Sequence, residues 1–455
     1  MDIEQLRKAR RDLDKFLRQF DDCFKTKCSR QHLRSYVRGQ VSDLPRKCIA
    51  PIALMAHVPP RTLQEFMELK EWKHEGVGQR VQEFIVRRHA HPEAIGVIDE
   101  TSDEKKGDKT VGVQRQYCGA TGKTDNCTVS VHLGYVAGDF HALVDGDLYI
   151  PEGWFADPQR CREAGVPEAV FYRTKWQIAV DLLKRTLSHG LVMKYLTADE
   201  TYGRCSEFRR EVAGMKLLYV VEAPCSTCGW TRKPRVLEPP EPMGPGRPGT
   251  RRRLAPGAPP HQRVDVLAKR SAASWKTYHI KETDKGPVVW QAQCVRFFPW
   301  EDDLPGEQSW LIVARDVLDG QTKYFLSNAP ADTPPEVMLH IAFSRPHIEQ
   351  LFEASKGQVG LDHYEVRHYQ PLRRHLILSM VSLLFLMELT QTLRGEKSGV
   401  DNLPGSAGDR SPTRPGHAPS GTNSPTDPGR LRNRLLAAVQ RAGQKLPSQA
   451  ATAPT

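Results

Sequence analysis

Ala94-Ile-Gly-Val-Ile-Asp99 is a short apolar run that stops at an acid, and Met193-Lys-Tyr-Leu-Thr-Ala-Asp199 repeats the pattern 100 residues later. Apolar runs of this length, bounded by turn formers, predict strands. A carboxylate at the end of such a strand is held by the sheet yet lies at its rim. Two of them on neighbouring strands can share a divalent cation, and hard oxygen donors suit Mg²⁺ or Mn²⁺. The segments around them carry the same signals. Val111 to Tyr117 and Thr128 to Val136 are rich in strand formers and flank the turn cluster Gly119-Ala-Thr-Gly-Lys-Thr-Asp-Asn126. His141 to Ile150 follows a second turn, Ala137-Gly-Asp. These pieces predict an antiparallel meander. Lys175 to His189 places Ile178, Ala179, Leu182, Leu183 and Leu187 on one helical face. A short helix over Ser206 to Met215 and a strand over Leu217 to Val221 complete the order β-β-β-α-β-α-β.

Outward from this block the composition changes on both sides. Residues 1–90 read as helical, with Ile3, Leu6, Leu13, Phe16, Leu17 and Phe20 at helical spacing. Pro51 to Ala56 and Thr62 to Leu69, separated by Val58-Pro59-Pro60 and flanked by Arg46, Lys47 and Arg61, predict a helix-turn-helix that binds DNA, or an ordinary helical hairpin. Residues 91–222 form the first part of an α/β core. Residues 223–322 are expected to be an insertion, opening with a Pro/Gly/Arg-rich basic loop that includes Arg247-Pro-Gly-Thr-Arg-Arg-Arg253 and continuing as strands. Residues 323–394 return to the core with two helices and a buried helix from Leu372 to Leu393. Residues 395–455 are rich in Pro, Gly, Ser and Thr and predict a disordered tail with one helical patch, Leu431 to Gln440.

A pocket built on Asp99 and Asp199 needs a third acid. Glu349 lies in Arg345-Pro-His-Ile-Glu-Gln-Leu-Phe-Glu-Ala-Ser-Lys356, where Arg345, Glu349 and Lys356 fall at i−4, i and i+7 and so on one face of a continuous helix. A carboxylate flanked by two cations can hold a metal and grip a phosphate backbone. The plainer alternative is a solvated amphipathic helix with i,i+4 ion pairs. Glu100, Asp103, Glu200 and Glu353 are further acids near the expected pocket; Glu100 follows Asp99 directly, so its side chain points to the opposite face of the strand.

The order of elements, followed by an insertion and an acid-bearing helix, resembles the DDE transposases of bacterial insertion sequences. It is similar above all to the group marked by Arg-x₃-Glu-x₆-Lys, a spacing met by Arg345, Glu349 and Lys356. That group usually has Tyr three residues before the Arg, where this chain has Ala342. Val97-Ile-Asp-Glu-Thr101, Ala198-Asp-Glu-Thr-Tyr-Gly203 and Gly357-Gln-Val-Gly-Leu-Asp-His-Tyr-Glu-Val-Arg367 add to the likeness. The resemblance covers about residues 30–390. It implies an α/β fold with an RNase H-like (retroviral-integrase-like) core, a mainly β insertion and a helical N-terminal domain. It also implies that Asp99, Asp199 and Glu349 are catalytic Mg²⁺ ligands, with Mn²⁺ able to substitute, and that Arg345 and Lys356 touch DNA. The implied activity is metal-dependent cleavage at the ends of the element to free 3′-OH groups, then joining to target DNA. The implied partners are double-stranded DNA and a second copy of the chain.

Charge and hydropathy agree with such a partner. Lys and Arg number 65 against 54 Asp and Glu, a net charge of +11, and the pI is about 9.1. That excess suits a polyanion. Mean hydropathy is −0.52, and the longest apolar run, Leu376 to Met387, falls short of the ~20 residues that a membrane span needs. The N-terminus lacks the apolar stretch of a secretion signal. No membrane association and a cytoplasmic, nucleoid-associated protein are therefore expected. Ten cysteines, with Cys225 and Cys228 as the sole CxxC, predict reduced thiols rather than a zinc site. Two other functions compete: a catalytically inactive, end-binding or regulatory derivative of a transposase, and a repair or RNA-degrading nuclease of the same fold.

Overall fold

The computed structural model describes residues 3–239, 251–270, 273–283 and 286–400. Most of the basic loop, the tail beyond residue 400 and its expected helical patch lie outside the described residues. Five helices come first: α1 (Ile3–Arg18), α2 (Lys27–Gln40), α3 (Ile49–Met55), α4 (Pro60–Glu68) and α5 (His74–His89). Four strands follow, β1 (Ile95–Glu104), β2 (Gln114–Cys118), β3 (Lys123–Ala137) and β4 (Phe140–Tyr149). Short helices α6 (Glu152–Phe155) and α7 (Pro158–Glu163) lead to α8 (Lys175–Ser188), β5 (Tyr195–Ala198), α9 (Glu200–Gly203), α10 (Ser206–Gly214) and β6 (Leu218–Ala223). The inserted stretch holds β7 (Cys228–Trp230), β8 (Val236–Leu237), β9 (Arg253–Leu254), β10 (Gln262–Arg263), α11 (Val264–Arg270), β11 (Lys276–Thr283), β12 (Gly286–Glu301), β13 (Leu304–Pro305) and β14 (Ser309–Asp316). The chain then runs through β15 (Thr322–Ser327), α12 (Pro335–Ala342), α13 (Pro346–Ala354) and α14 (Tyr369–Val400). The fold is mixed α/β, in two compact units: residues 1–81 with 353–455, and residues 82–352.

The first unit is helical and is organised on α14. Phe16 of α1 meets Phe385 with ring centroids 5.6 Å apart. Tyr36 of α2 bonds the buried His375 at 2.8 Å, and Gln40 is held between Ser379 (2.7 Å) and Ser382 (2.8 Å). Arg374 is buried, with its charge spread over the carbonyls of Phe66, Met67, Lys70 and Trp72 and its guanidinium 4.4 Å from the Trp72 ring. Burial pulls its pKa down to about 10. Residues Tyr369–Leu393 of α14 are long and apolar enough to cross a membrane by length and composition, yet most of that stretch is buried inside the protein. The partners of Gln40, Arg374 and His375 identify it as a core helix. The expected helix-turn-helix segment is the pair α3 and α4, joined through His57 in the left-handed region (φ 55°). Lys47, just before the pair, is buried and donates to the Ser42 carbonyl, and burial lowers its pKa to about 8, so it is not a free surface cation.

The second unit holds a sheet whose central order is β4-β3-β1-β5-β6. β1 is antiparallel to β3 and parallel to β5, and β6 is parallel to β5. β3 pairs antiparallel with β2 before it and with β4 after it, the pairings the meander predicts, and β1 joins the other edge of β3. β1 also does not end at Asp99. It runs on to Glu104 because Thr101, Ser102 and Asp103 are buried and stay paired with β3. α8 starts at a capping box made by Thr174 and Gln177 and buries Ile178, Leu182 and Leu183. The inserted strands make no separate main sheet. β15 pairs antiparallel with β6, and β14 and β12 extend the same sheet outward. Asn328, just past β15, locks this junction by bonding Tyr219 N–H (2.7 Å) and the Leu217 carbonyl (3.0 Å).

Candidate functional site

Register brings the acids together. Ile98 of β1 pairs with Ala198 of β5, and Ala198 pairs with Val221 of β6. The next residues on these three parallel strands are Asp99, Asp199 and Glu222, which therefore lie at one level of the sheet. Asp99 is 8% exposed. Its Oδ1 accepts from the Glu100 N–H (2.8 Å) and its Oδ2 from Arg345 Nη1 (3.2 Å). Burial pushes its pKa up to about 7; Arg345 opposes the shift, and the charges of Asp199 and Glu100 reinforce it. Asp199 caps the four-residue α9, accepting from Thr201 N–H at 2.9 Å, Tyr202 N–H at 3.4 Å and Thr201 Oγ1 at 3.1 Å. The cap fixes the carboxylate against β5 and places it at the positive end of that turn.

Arg345 lies at the centre of the group. It precedes α13, and its guanidinium reaches Asp99, Glu349 Oε1 (3.1 Å) and Glu222 Oε2 (4.0 Å). Burial works against its charge, but Asp99, Glu349, Glu222 and Asp199 outweigh it and raise its pKa. Glu349 is the open member of the group, with a side chain 53% exposed. α13 is seated by Ile348, which lies against Gly134, and by Phe352, whose ring meets His132 edge-on at 5.4 Å. His132 is the residue directly opposite Asp99 in the β1–β3 register.

Asp99, Arg345 and Glu349 are thus directly linked, and Asp199 stands beside Asp99 on the next strand. Lys356 belongs to the other compact unit. It lies in a π-helical turn, Ser355–Val359, that ends at Gly360 with φ 70°. The face shared by Arg345, Glu349 and Lys356 on one continuous α-helix is therefore absent: Arg345 precedes the helix and the α-helical phase is lost after Ala354. Among the neighbouring acids, Glu100 faces Lys175 and Tyr202, Asp103 is buried in β1, and Glu200 is exposed. Glu222 was not singled out in the sequence, although Leu217 to Val221 followed by Glu222 repeats the strand-then-acid pattern of Asp99 and Asp199. Of the tryptophans in the inserted strands, Trp290 packs on Phe343 (4.6 Å) and Trp310 bonds the Pro330 carbonyl (3.0 Å). Trp275 faces Arg315 and Trp300 stacks on His261, both partly exposed.

Among the described residues, no three or more His, Cys, Asp or Glu side chains are gathered in the arrangement of a metal centre. The carboxylates close on the Arg345 guanidinium instead. The donors nevertheless fit a hard cation. They are carboxylate oxygens at one level of adjacent strands, and the burial that raises the Asp99 pKa penalises a charge that a divalent ion would stabilise.

The family described as DDE superfamily endonuclease matches residues 19–287. A probable transposase for insertion sequence element IS701, from Microchaete diplosiphon, is 31% identical over 340 residues, which is 73% of this chain and 75% of that protein. The cryo-EM structure of a piggyBac transposase synaptic complex with hairpin DNA is 7% identical, with a TM-score of 0.41 over 92% of this chain and 72% of that one, too low to argue from. On the family match and the length of the IS701 alignment, the chain belongs to the DDE-type transposases of insertion sequences.

Proposed function

We propose that the protein binds the ends of its insertion sequence, cleaves them to free 3′-OH groups and joins those to target DNA. The observation that carries this is the alignment of Asp99 and Asp199 on adjacent parallel strands, with Arg345 linking Asp99 to Glu349. The central order β4-β3-β1-β5-β6, an antiparallel set flanked by two strands parallel to β1, supports an RNase H-like core. In the first step a water oxygen bonds phosphorus and the 3′ oxygen leaves, taking a proton. In the second that 3′ oxygen bonds a target phosphorus and loses its proton as the target's own 3′ oxygen departs. The hydrolysis runs downhill, and the transfer forms one phosphodiester bond for the one it breaks, so no ATP is required.

Asp99, Asp199 and Glu349 would hold Mg²⁺, with Mn²⁺ able to replace it; a bound divalent ion supplies Lewis acidity for the attacking and leaving oxygens. The α9 cap holds Asp199 in place, so the site loses little by reorganising. Arg345 is drawn into the acids here and would turn toward a backbone phosphate when DNA enters; Lys356 is a second phosphate contact. α3 and α4 of the helical unit are the proposed end-binding elements. Two ends must be held together, so a homodimer on DNA is proposed, acting in the cytoplasm on the nucleoid.

Asp99→Ala, Asp199→Ala and Glu349→Ala should each abolish Mg²⁺-dependent cleavage of labelled end DNA while leaving end binding intact. Full cleavage by any one of them removes that residue from the site. A catalytically silent end-binding protein is the alternative, favoured by Ala342, a buried residue where the family's signature usually has Tyr. Binding without strand cleavage in either Mg²⁺ or Mn²⁺ would establish it.

A further inference from the structure

We infer that Glu100 is a positioning residue that fixes the separation of Asp99 and Asp199, with Lys175 and Tyr202 as its partners. Successive side chains on a strand point to opposite faces. Asp99 therefore turns to Arg345, and Glu100 turns away from it toward α8 and α9. The two Glu100 oxygens are engaged by different elements. Oε1 accepts from Lys175 Nζ at 2.5 Å, and Oε2 accepts from the Tyr202 hydroxyl at 3.4 Å. Lys175 is the first residue of α8, just after the Thr174 capping box, so its backbone is fixed. Tyr202 is fully buried, and its own N–H reaches Asp199 Oδ1.

One carboxylate thus ties the strand carrying Asp99 to the helical turn capped by Asp199. α9 is only four residues long, and a turn of that length has little hydrogen bonding of its own to hold it. Besides the Asp199 cap and Arg209, which donates to the Gly203 carbonyl, it is fixed by Gly203, packed so closely on the Glu222 carbonyl that no side chain fits, and by Tyr202 on Glu100. Lys175 has a second effect. It neutralises Glu100, whose charge otherwise adds to the repulsion at Asp99. Glu100 is distinct from the proposed ligands because both its oxygens are already engaged away from Arg345. Partners that orient a metal ligand commonly govern affinity for the metal.

The inference rests on Asp99 and Asp199 forming a cation site. It is tested on the full-length chain with Glu100→Gln, Tyr202→Phe and Lys175→Met. Three measurements are made: thermal unfolding, Mn²⁺ binding by calorimetry without DNA, and end cleavage against Mg²⁺ concentration. The expected result is wild-type unfolding and end binding, with half-saturation by either metal shifted upward about 10- to 100-fold and cleavage restored at high metal. Tyr202→Phe removes a single hydroxyl and is the variant least able to disturb folding. Unchanged half-saturation in both Tyr202→Phe and Glu100→Gln overturns the inference. So does a loss of cleavage in Glu100→Gln that no metal concentration restores, which would make Glu100 a ligand. Asp99→Asn is the control: if it binds Mn²⁺ like the wild type, the cation site itself is misassigned, whatever the Glu100 variants do.

Discussion

Asp99→Asn should make the metal-free protein more stable, and only above the acid range. The native carboxyl has its pKa raised from 3.8 to about 7, mainly by burial. An acid with a raised native pKa holds a proton that the unfolded chain has already released. Stability therefore falls as pH climbs from about 4 to about 7, and the whole penalty is present above that window. A shift of roughly three units corresponds to about 4 kcal/mol. Asparagine carries no charge and avoids this penalty, while Arg345 keeps Glu349 and Glu222 as partners. The variant should thus gain up to about 4 kcal/mol at pH 8 and almost nothing at pH 4. Urea unfolding in EDTA at pH 4, 6 and 8, followed by circular dichroism, measures the difference directly. A gain equal at all three pH values, or a variant less stable than wild type at pH 8, refutes the reasoning. Adding Mn²⁺ at pH 8 should stabilise the wild type and leave the variant unmoved, because only the charged site gains from the cation. Stability given up at a functional carboxylate is a common exchange in enzymes.

Two further substitutions probe the scaffold. Phe66→Ala empties a fully buried site between Phe24 (6.0 Å) and Trp72 (5.2 Å, rings 18° from parallel), and should cost about 3–5 kcal/mol in urea unfolding followed by tryptophan fluorescence. Gly203→Ala drives a methyl group into the Glu222 carbonyl, so α9 must move off β6. It should cost at least about 1–3 kcal/mol in thermal unfolding, and it should suppress end cleavage in any protein that remains folded, because Asp199 caps that turn.

Much of the site was legible because its signals are local. Apolar alternation, turn clusters and an acid after each short run marked Asp99 and Asp199, and these depend on neighbours within a few residues. The same pattern at Leu217 to Glu222 was available, but Glu222 gains its meaning from β6 lying beside β5. The polar run Thr101-Ser-Asp103 carries no strand signal by itself. It is strand because β3 pairs with it, a partner 25 to 29 residues away.

The chain by itself determined most of the strands and helices, where the apolar core helix lies, and which acids follow the short apolar runs. These follow from side-chain size, polarity and spacing, which need no distant partner. Tertiary structure decided the rest. Hydrogen-bond register between β1, β5 and β6 set Asp99, Asp199 and Glu222 at one level. Pairing of β15 with β6 made the inserted strands part of the core sheet. The π-helical turn after α13 removed Lys356 from the helical face that its spacing suggested. Burial gave Arg345 four acids to satisfy and Arg374 four carbonyls to cover. A charge inside a protein takes its partners from whatever packs around it, and the packing is a property of the whole chain.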